Sequence, residues 1–186
     1  MSGDKNRVFI AINLPSDVKQ ELATYISQLK HLNSKRSLIY VKPEILHLTL
    51  HFLGNLDYEE IEQIKSIISE SIRNKNSFQM SLGDIGGFPS IEFPRIIYLE
   101  CRDGGNALKL QKEIGKKLSD SGFAIDNRSW KSHLTICRIK NSEKFYIDDK
   151  IIIPQLTFEV RSIDLMQSKL TPPGPEYSVI ESFKLK

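Results

Sequence analysis

The chain has 186 residues, 40% hydrophobic and 26% charged, a balance that supports a packed core in one domain or two small lobes without staples. A net charge of +3 and a pI near 8.8 are too weak to mark a nucleic-acid binder by its field alone, and they suit a small or single-ended anionic ligand. Cys101 and Cys137 sit in apolar runs without metal-ligand spacing, and no run approaches the roughly 20 apolar residues of a membrane span, so the reading is a reduced, cytoplasmic protein without signal peptide or transmembrane helix.

After a polar lead over positions 1–6, Arg7 to Leu14 reads as a buried strand that Pro15 stops. Ser16-Asp17 then starts a helix, with Val18, Leu22, Tyr25, Ile26 and Leu29 at helical spacing. Ser37 to Val41 is a short strand or an extended lead, and Lys42-Pro43-Glu44 is a turn feeding a strand from His47 that Gly54-Asn55 ends. Ile61, Ile64, Ile67, Ile68 and Ile72 mark a second helix from Tyr58, with acidic residues in its first turn. Phe78 to Leu82 alternates as a strand, and Gly86-Gly87-Phe88-Pro89 is expected to break it. Arg95 to Cys101 is the next strand, and Leu108, Leu110, Ile114 and Leu118 carry a third helix stopping near Gly122. The loop over 126–132 holds Trp130 and delivers a strand from His133. Three further strands are expected, at Lys150 to Ile153, Leu156 to Met166 and Tyr177 to Phe183, with Pro172-Pro173-Gly174-Pro175 as a turn between the last two. The two halves share the order strand, helix, motif strand, which implies an α+β fold built by duplication, with two antiparallel sheets facing a central cleft and helices outside.

The duplication is plainest in four residues. His47-Leu48-Thr49-Leu50 returns as His133-Leu134-Thr135-Ile136, 86 positions on (133 − 47), and these motifs hold two of only four histidines. A side-chain period of two puts each His beside its Thr on one strand face and the apolar pair on the other. Continued past Leu50, the same parity sends His51 to the face of Thr49, and Phe52 to the core with Leu48 and Leu50. Two imidazoles and two hydroxyls in one cleft suit a phosphodiester, one His taking a proton, the other giving one, and the hydroxyls holding phosphoryl oxygens. A lone His-x-Thr is usually only a strand, since Thr favours sheets.

Together with Arg7 to Pro15, Phe52-Leu53-Gly54, Phe88-Pro89 with Pro94-Arg95, Arg138, and Gly174-Pro175-Glu176-Tyr177, these motifs resemble the bacterial and archaeal RNA 2′,3′-cyclic phosphodiesterases. Those are LigT-like, 2′-5′ RNA ligase-like members of the two-histidine phosphoesterase superfamily. The resemblance covers essentially the whole chain and implies one domain over 1–186, made of two intertwined pseudo-symmetric lobes. It implies His47 as proton donor, His133 as proton acceptor, and Thr49 and Thr135 on the phosphate, with His51, Arg138 and Tyr177 as further substrate-binding residues. It also implies opening of a terminal 2′,3′-cyclic phosphate to a 2′-phosphate without metal or other cofactor. The partners implied are RNA ends or nucleoside 2′,3′-cyclic phosphates, with no membrane and no obligate protein partner. The chain departs from the family at His51, where relatives often carry a basic residue, and at Tyr98, where they frequently carry Trp. Strand parity from His133 turns Arg138 away from the cleft unless the strand bulges or the side chain curls back.

Three other readings compete. Zinc wants three or four protein ligands, and neither motif has a Cys, Asp or Glu beside its His. A non-catalytic module could hold a nucleotide or RNA end in the same cleft, although a pure binder needs no pair of proton-transfer groups. The same groups could also run 2′-5′ ligation, in which water is the more abundant competitor.

Overall fold

The computed structural model describes residues 5–126, 128–140, 144–172 and 174–186, so the expected lead over 1–4 and parts of the loop at 127 and the turn at 173 fall outside it. A four-stranded sheet has the order β3-β1-β8-β9, where β1 is Asn6–Asn13, β3 is His47–Leu56, β8 is Ser162–Thr171 and β9 is Gly174–Lys184. A five-stranded sheet has the order β2-β6-β5-β4-β7, where β2 is Leu38–Tyr40, β4 Phe78–Phe88, β5 Ile96–Arg102, β6 His133–Ile139 and β7 Thr157–Val160. Every pairing among the described residues is antiparallel. Among the described residues, helices α1 Ser16–Leu32, α2 Tyr58–Ile72 and α3 Asn106–Asp120 share one continuous apolar core with both sheets. The fold is therefore α+β with two antiparallel sheets.

The helices start where local chemistry lets them. Asp57 and Glu60 close a reciprocal capping box at the head of α2. Asp103 accepts from the amides of Gly105 and Ala107 at the head of α3, where Gly105 takes φ 86°. The apolar halves of the motifs hold their strands to the core: Leu48, Leu50, Leu134 and Ile136 are all at most 2% exposed. Each such burial is worth about 1.5–3 kcal/mol. Cys101 and Cys137 are buried free thiols in that core, and burial pushes the pKa of each up to about 12.

Several expected elements differ. Gly86 and Gly87 do not break β4, which runs on to Phe88. They are small because the Tyr98 ring and the Ser90 carbonyl fill the space where a Cβ would go, at 2.5 and 2.6 Å. The run Leu156 to Met166 is two strands, β7 and β8, which part at Arg161 into different sheets. Residues Lys150 to Ile153 form a turn and irregular chain, not a strand. Gly174 and Pro175 belong to β9, pairing with Thr171 and Leu170.

Candidate active site

Both motif strands carry a bulge at the same place. In β3, Asn13 pairs with His47, Ala11 with Thr49 and Phe9 with Phe52, while Leu50 is skipped. In β6, Glu100 pairs with His133, Tyr98 with Thr135 and Ile96 with Arg138, while Ile136 is skipped. A skipped residue inverts the parity of all that follows. Leu50 and His51 are thus buried in succession, as are Ile136 and Cys137, and the next residue turns back to the face of His and Thr. That residue is Phe52 in one strand and Arg138 in the other.

Two expectations are corrected by the bulge. His51 is not on the cleft face but in the core, 4% exposed, with Nε2 donating to the Gln111 carbonyl of α3 at 2.7 Å. Gly115 makes the room, since a Cβ there would stand 2.8 Å from the His51 ring. Phe52 is not in the core but 58% exposed. Arg138, by contrast, does gain the face of His133, and its charge acts on both motif histidines.

The two imidazoles are held alike. His47 Nδ1 donates to the Ile45 carbonyl at 2.8 Å, and His133 Nδ1 to the Lys131 carbonyl at 2.7 Å. A carbonyl only accepts, so Nδ1 carries the hydrogen and Nε2 is the atom left to work. Two aromatic rings brace each imidazole. Phe9 and Tyr177 lie 5.0 and 5.2 Å from His47, and Phe88 and Tyr98 lie 5.1 and 5.4 Å from His133, centroid to centroid. Tyr177 thus packs edge-on against His47, and Tyr98 does more than fill space: it stacks on Phe88 and accepts from Lys131 Nζ.

The strands β3 and β6 approach each other, and the charge of His133 is felt at His47. Burial is the main cause that lowers the pKa of both. For His47 the charges of Lys19, Arg138 and His133 add to it, for His133 those of Arg138 and Lys131, while each carbonyl bond opposes the change. Neither the Thr49 nor the Thr135 hydroxyl has a hydrogen-bond partner among the described residues, so both are free to donate to a ligand. Trp130 Nε1 donates to the Thr49 carbonyl at 3.0 Å and ties the loop before β6 to β3. Among the described residues no three His, Cys, Asp or Glu are grouped to hold a metal, and no helix is long and apolar enough to cross a membrane.

Sequence reasoning missed Phe9, Phe88, Lys19, Lys131 and Glu100. Lys131 stands two residues before its histidine, as Ile45 does in the other motif, while the rest meet the histidines through strand pairing and the folding back of α1.

Paired His-x-Thr strands on this α+β scaffold define a two-histidine phosphoesterase. The model for LigT-like phosphoesterases matches residues 12–98. An RNA 2′,3′-cyclic phosphodiesterase of Methanocaldococcus jannaschii is 34% identical over 95% of this chain and 99% of its own length, and one of Thermotoga maritima is 31% identical over 94% and 92%. Among solved structures, one from Thermus thermophilus superposes with TM-score 0.79 at 26% identity, covering 96% of this chain and 97% of that one. Escherichia coli LigT complexed with 3′-AMP has TM-score 0.75 at 22% identity, over 98% and 99%, and shares the fold. The chain belongs to the LigT-like RNA 2′,3′-cyclic phosphodiesterase family.

Proposed function

We propose that the chain hydrolyses RNA-terminal 2′,3′-cyclic phosphates to 2′-phosphomonoesters, with RNA ends or nucleoside 2′,3′-cyclic phosphates as substrates. The carrying observation is the matched pair of imidazoles, each tied back through Nδ1 with Nε2 left over, and each on the same strand face as a Thr whose hydroxyl has no partner among the described residues. The names of its relatives point the same way. The reading takes 1–186 as one domain of two intertwined lobes, because the chain passes from one sheet to the other at β2, back at β3, and again at β4 and β8.

In this mechanism His133 Nε2 takes a proton from water, whose oxygen attacks phosphorus. The bond from phosphorus to the 3′-oxygen breaks, and protonated His47 Nε2 gives its proton to that oxygen. Water and the cyclic diester become a 2′-phosphomonoester and a 3′-hydroxyl. Each proton-transfer partner typically contributes about 10²- to 10⁴-fold. Thr49, Thr135 and Arg138 hold the non-bridging oxygens, each hydrogen bond to such a charged oxygen being worth about 1.5–3 kcal/mol. Exposed Phe52 offers the nucleoside an apolar face, while Tyr177 serves by bracing His47. His51 has no part in binding, since its ring is turned into the core. Run in reverse with an RNA 5′-hydroxyl, the same groups would make a 2′-5′ linkage, against the excess of water.

Phosphorus NMR on an oligonucleotide with a terminal 2′,3′-cyclic phosphate tests this. A 2′-phosphate as sole product is expected; a 3′-phosphate would reverse the bond choice, and binding without turnover would favour the non-catalytic module.

A further inference from the structure

Each motif histidine has a lysine nearby, and the two lysines are held differently. Beside His133, Lys131 Nζ lies 2.6 Å from Glu100 Oε1 and donates to the Tyr98 hydroxyl at 3.0 Å. Glu100 is also the cross-strand partner of His133, so that cation stands in an ion pair while its charge still acts on His133. Beside His47 the cross-strand partner is Asn13, a neutral amide. The cation there comes from another element, Lys19 of α1, whose Nζ donates to the Glu44 carbonyl at 2.9 Å. Asp164 and Glu44 act on Lys19 through space. The Asp164 oxygens are already engaged by Asn13 Nδ2, Ser162 and Ser182, and among the described residues Lys19 makes no ion pair.

The turn between them explains the arrangement. Pro43–Ile45 is a single 3-10 turn, closed by Ile45 N–H to the Lys42 carbonyl and Leu46 N–H to the Pro43 carbonyl. The last carbonyls of so short a helix have no partner within it. The Glu44 carbonyl is taken by Lys19 and the Ile45 carbonyl by His47 Nδ1. One peptide unit therefore joins the lysine's anchor to the histidine's.

We propose that Lys19 is the positioning residue of His47: it clamps the Pro43–Ile45 turn that fixes the imidazole, and it brings a charge held in no ion pair to the turn of the group that must surrender a proton. This rests on the acid–base reading above and adds what makes the two histidines unequal. The charged and titratable groups around His47 are Lys19 of α1, Glu44 of the turn, Arg138 and His133 of β6, and the Tyr177 phenol of β9, with Asp164 of β8 behind Lys19. Of these cations, Lys19 is the one whose side chain is hydrogen-bonded to the turn that holds His47.

The sign follows from repulsion. A cation opposes protonation of His47, so its removal raises the pH at which the imidazole gives up its proton. A proton donor fails as pH rises through its pKa, so the alkaline limb of kcat should move up in Lys19→Met. The turn would also loosen, and kcat should fall by about tenfold, with KM changing less. Lys19→Arg keeps charge and donors and should restore both.

The test follows the His47 and His133 ring resonances by NMR against pH in the full chain, wild type, K19M and K19R, beside kcat on a nucleoside 2′,3′-cyclic phosphate. Lys19 is half-exposed near the start of α1, and K19Q serves should K19M not fold. His47 titrating higher in K19M, with His133 moving less and K19R like wild type, is the expected result. An unmoved His47, or His133 moving as much, overturns the proposal. The ring titration needs no turnover, so an inactive wild type would remove the phosphodiesterase reading while leaving this coupling to be judged on its own. Movement of the acidic limb in place of the alkaline one would uphold Lys19 and exchange the roles of the two histidines.

Discussion

Phe52 and Arg138 occupy equivalent places, each five residues beyond its motif histidine and each turned to the active face by a bulge at the motif's fourth residue. The motif strands are alike in His and Thr and differ here, one offering an exposed ring and the other a guanidinium. Arg138→Met should raise KM for a cyclic-phosphate substrate about tenfold or more, as expected for loss of a charged hydrogen bond of about 1.5–3 kcal/mol. Arg138→Lys should recover part of that, since a point charge replaces a planar fork. Steady-state kinetics on one dinucleotide substrate checks both, and an unchanged KM in the Met variant would remove Arg138 from the phosphate.

The bulges also show where the sequence stops being legible. Parity places His47 with Thr49 and His133 with Thr135 because each pair is two residues apart on a regular strand. It fails at His51 and Phe52 because Leu50 and Ile136 are ordinary apolar residues with no mark of a bulge. The same run of alternating residues cannot tell one strand from two, so the division at Arg161 comes from which sheet each part joins. Gly86 and Gly87 read as breakers because their reason for being small, the Tyr98 ring and the chain at Ser90, lies outside their own segment. The helices were readable throughout, since each carries its own apolar stripe.

His51 carries a prediction about stability. His51→Ala should lower stability by about 1–3 kcal/mol, from the lost bond to Gln111 and the space left against Gly115, and so lower Tm by a few degrees. The change should leave kcat/KM within about threefold, because the residue acts only on the core side of the strand. A thermal melt paired with a turnover assay checks this; a large loss of affinity at unchanged Tm would return His51 to the substrate.

The two motif histidines, as the proposed acid and base, should behave as a unit. His47→Ala and His133→Ala should each lower turnover by about 10²-fold or more. The double variant should cost far less than the product of the two, since groups acting in one step are not additive. Near wild-type turnover in either folded single variant would point to a binding module.

Turnover should survive exhaustive EDTA treatment, because the proton-transfer groups and the phosphate donors named above are all side chains. Loss of activity restored by zinc or magnesium would put a metal ion in the reaction.

The pH dependence follows from burial. His47, His51 and His133 all have pKa values lowered chiefly by burial, so the unfolded chain binds more protons than the folded one as pH falls past the ordinary histidine value of about 6.5. Stability from these groups is present above that pH and lost below it, and Tm should fall as the solution is taken from neutral toward about pH 5. Catalysis divides differently. In the proposed mechanism the free enzyme needs one imidazole protonated and the other neutral, and both protons are held weakly, so the bell of kcat/KM should be centred below about 6.5. A bound phosphodiester is an anion placed among His47, His133 and Arg138, and it offsets the repulsion that helps to strip the imidazoles. Both pKa values therefore rise in the complex, and the bell of kcat should lie at higher pH than that of kcat/KM. The two apparent values belong to the pair and not to either residue. Measuring both profiles at constant ionic strength decides it: coincident bells, or a kcat/KM optimum well above 7, would mean that the substrate's charge is not held between the two histidines.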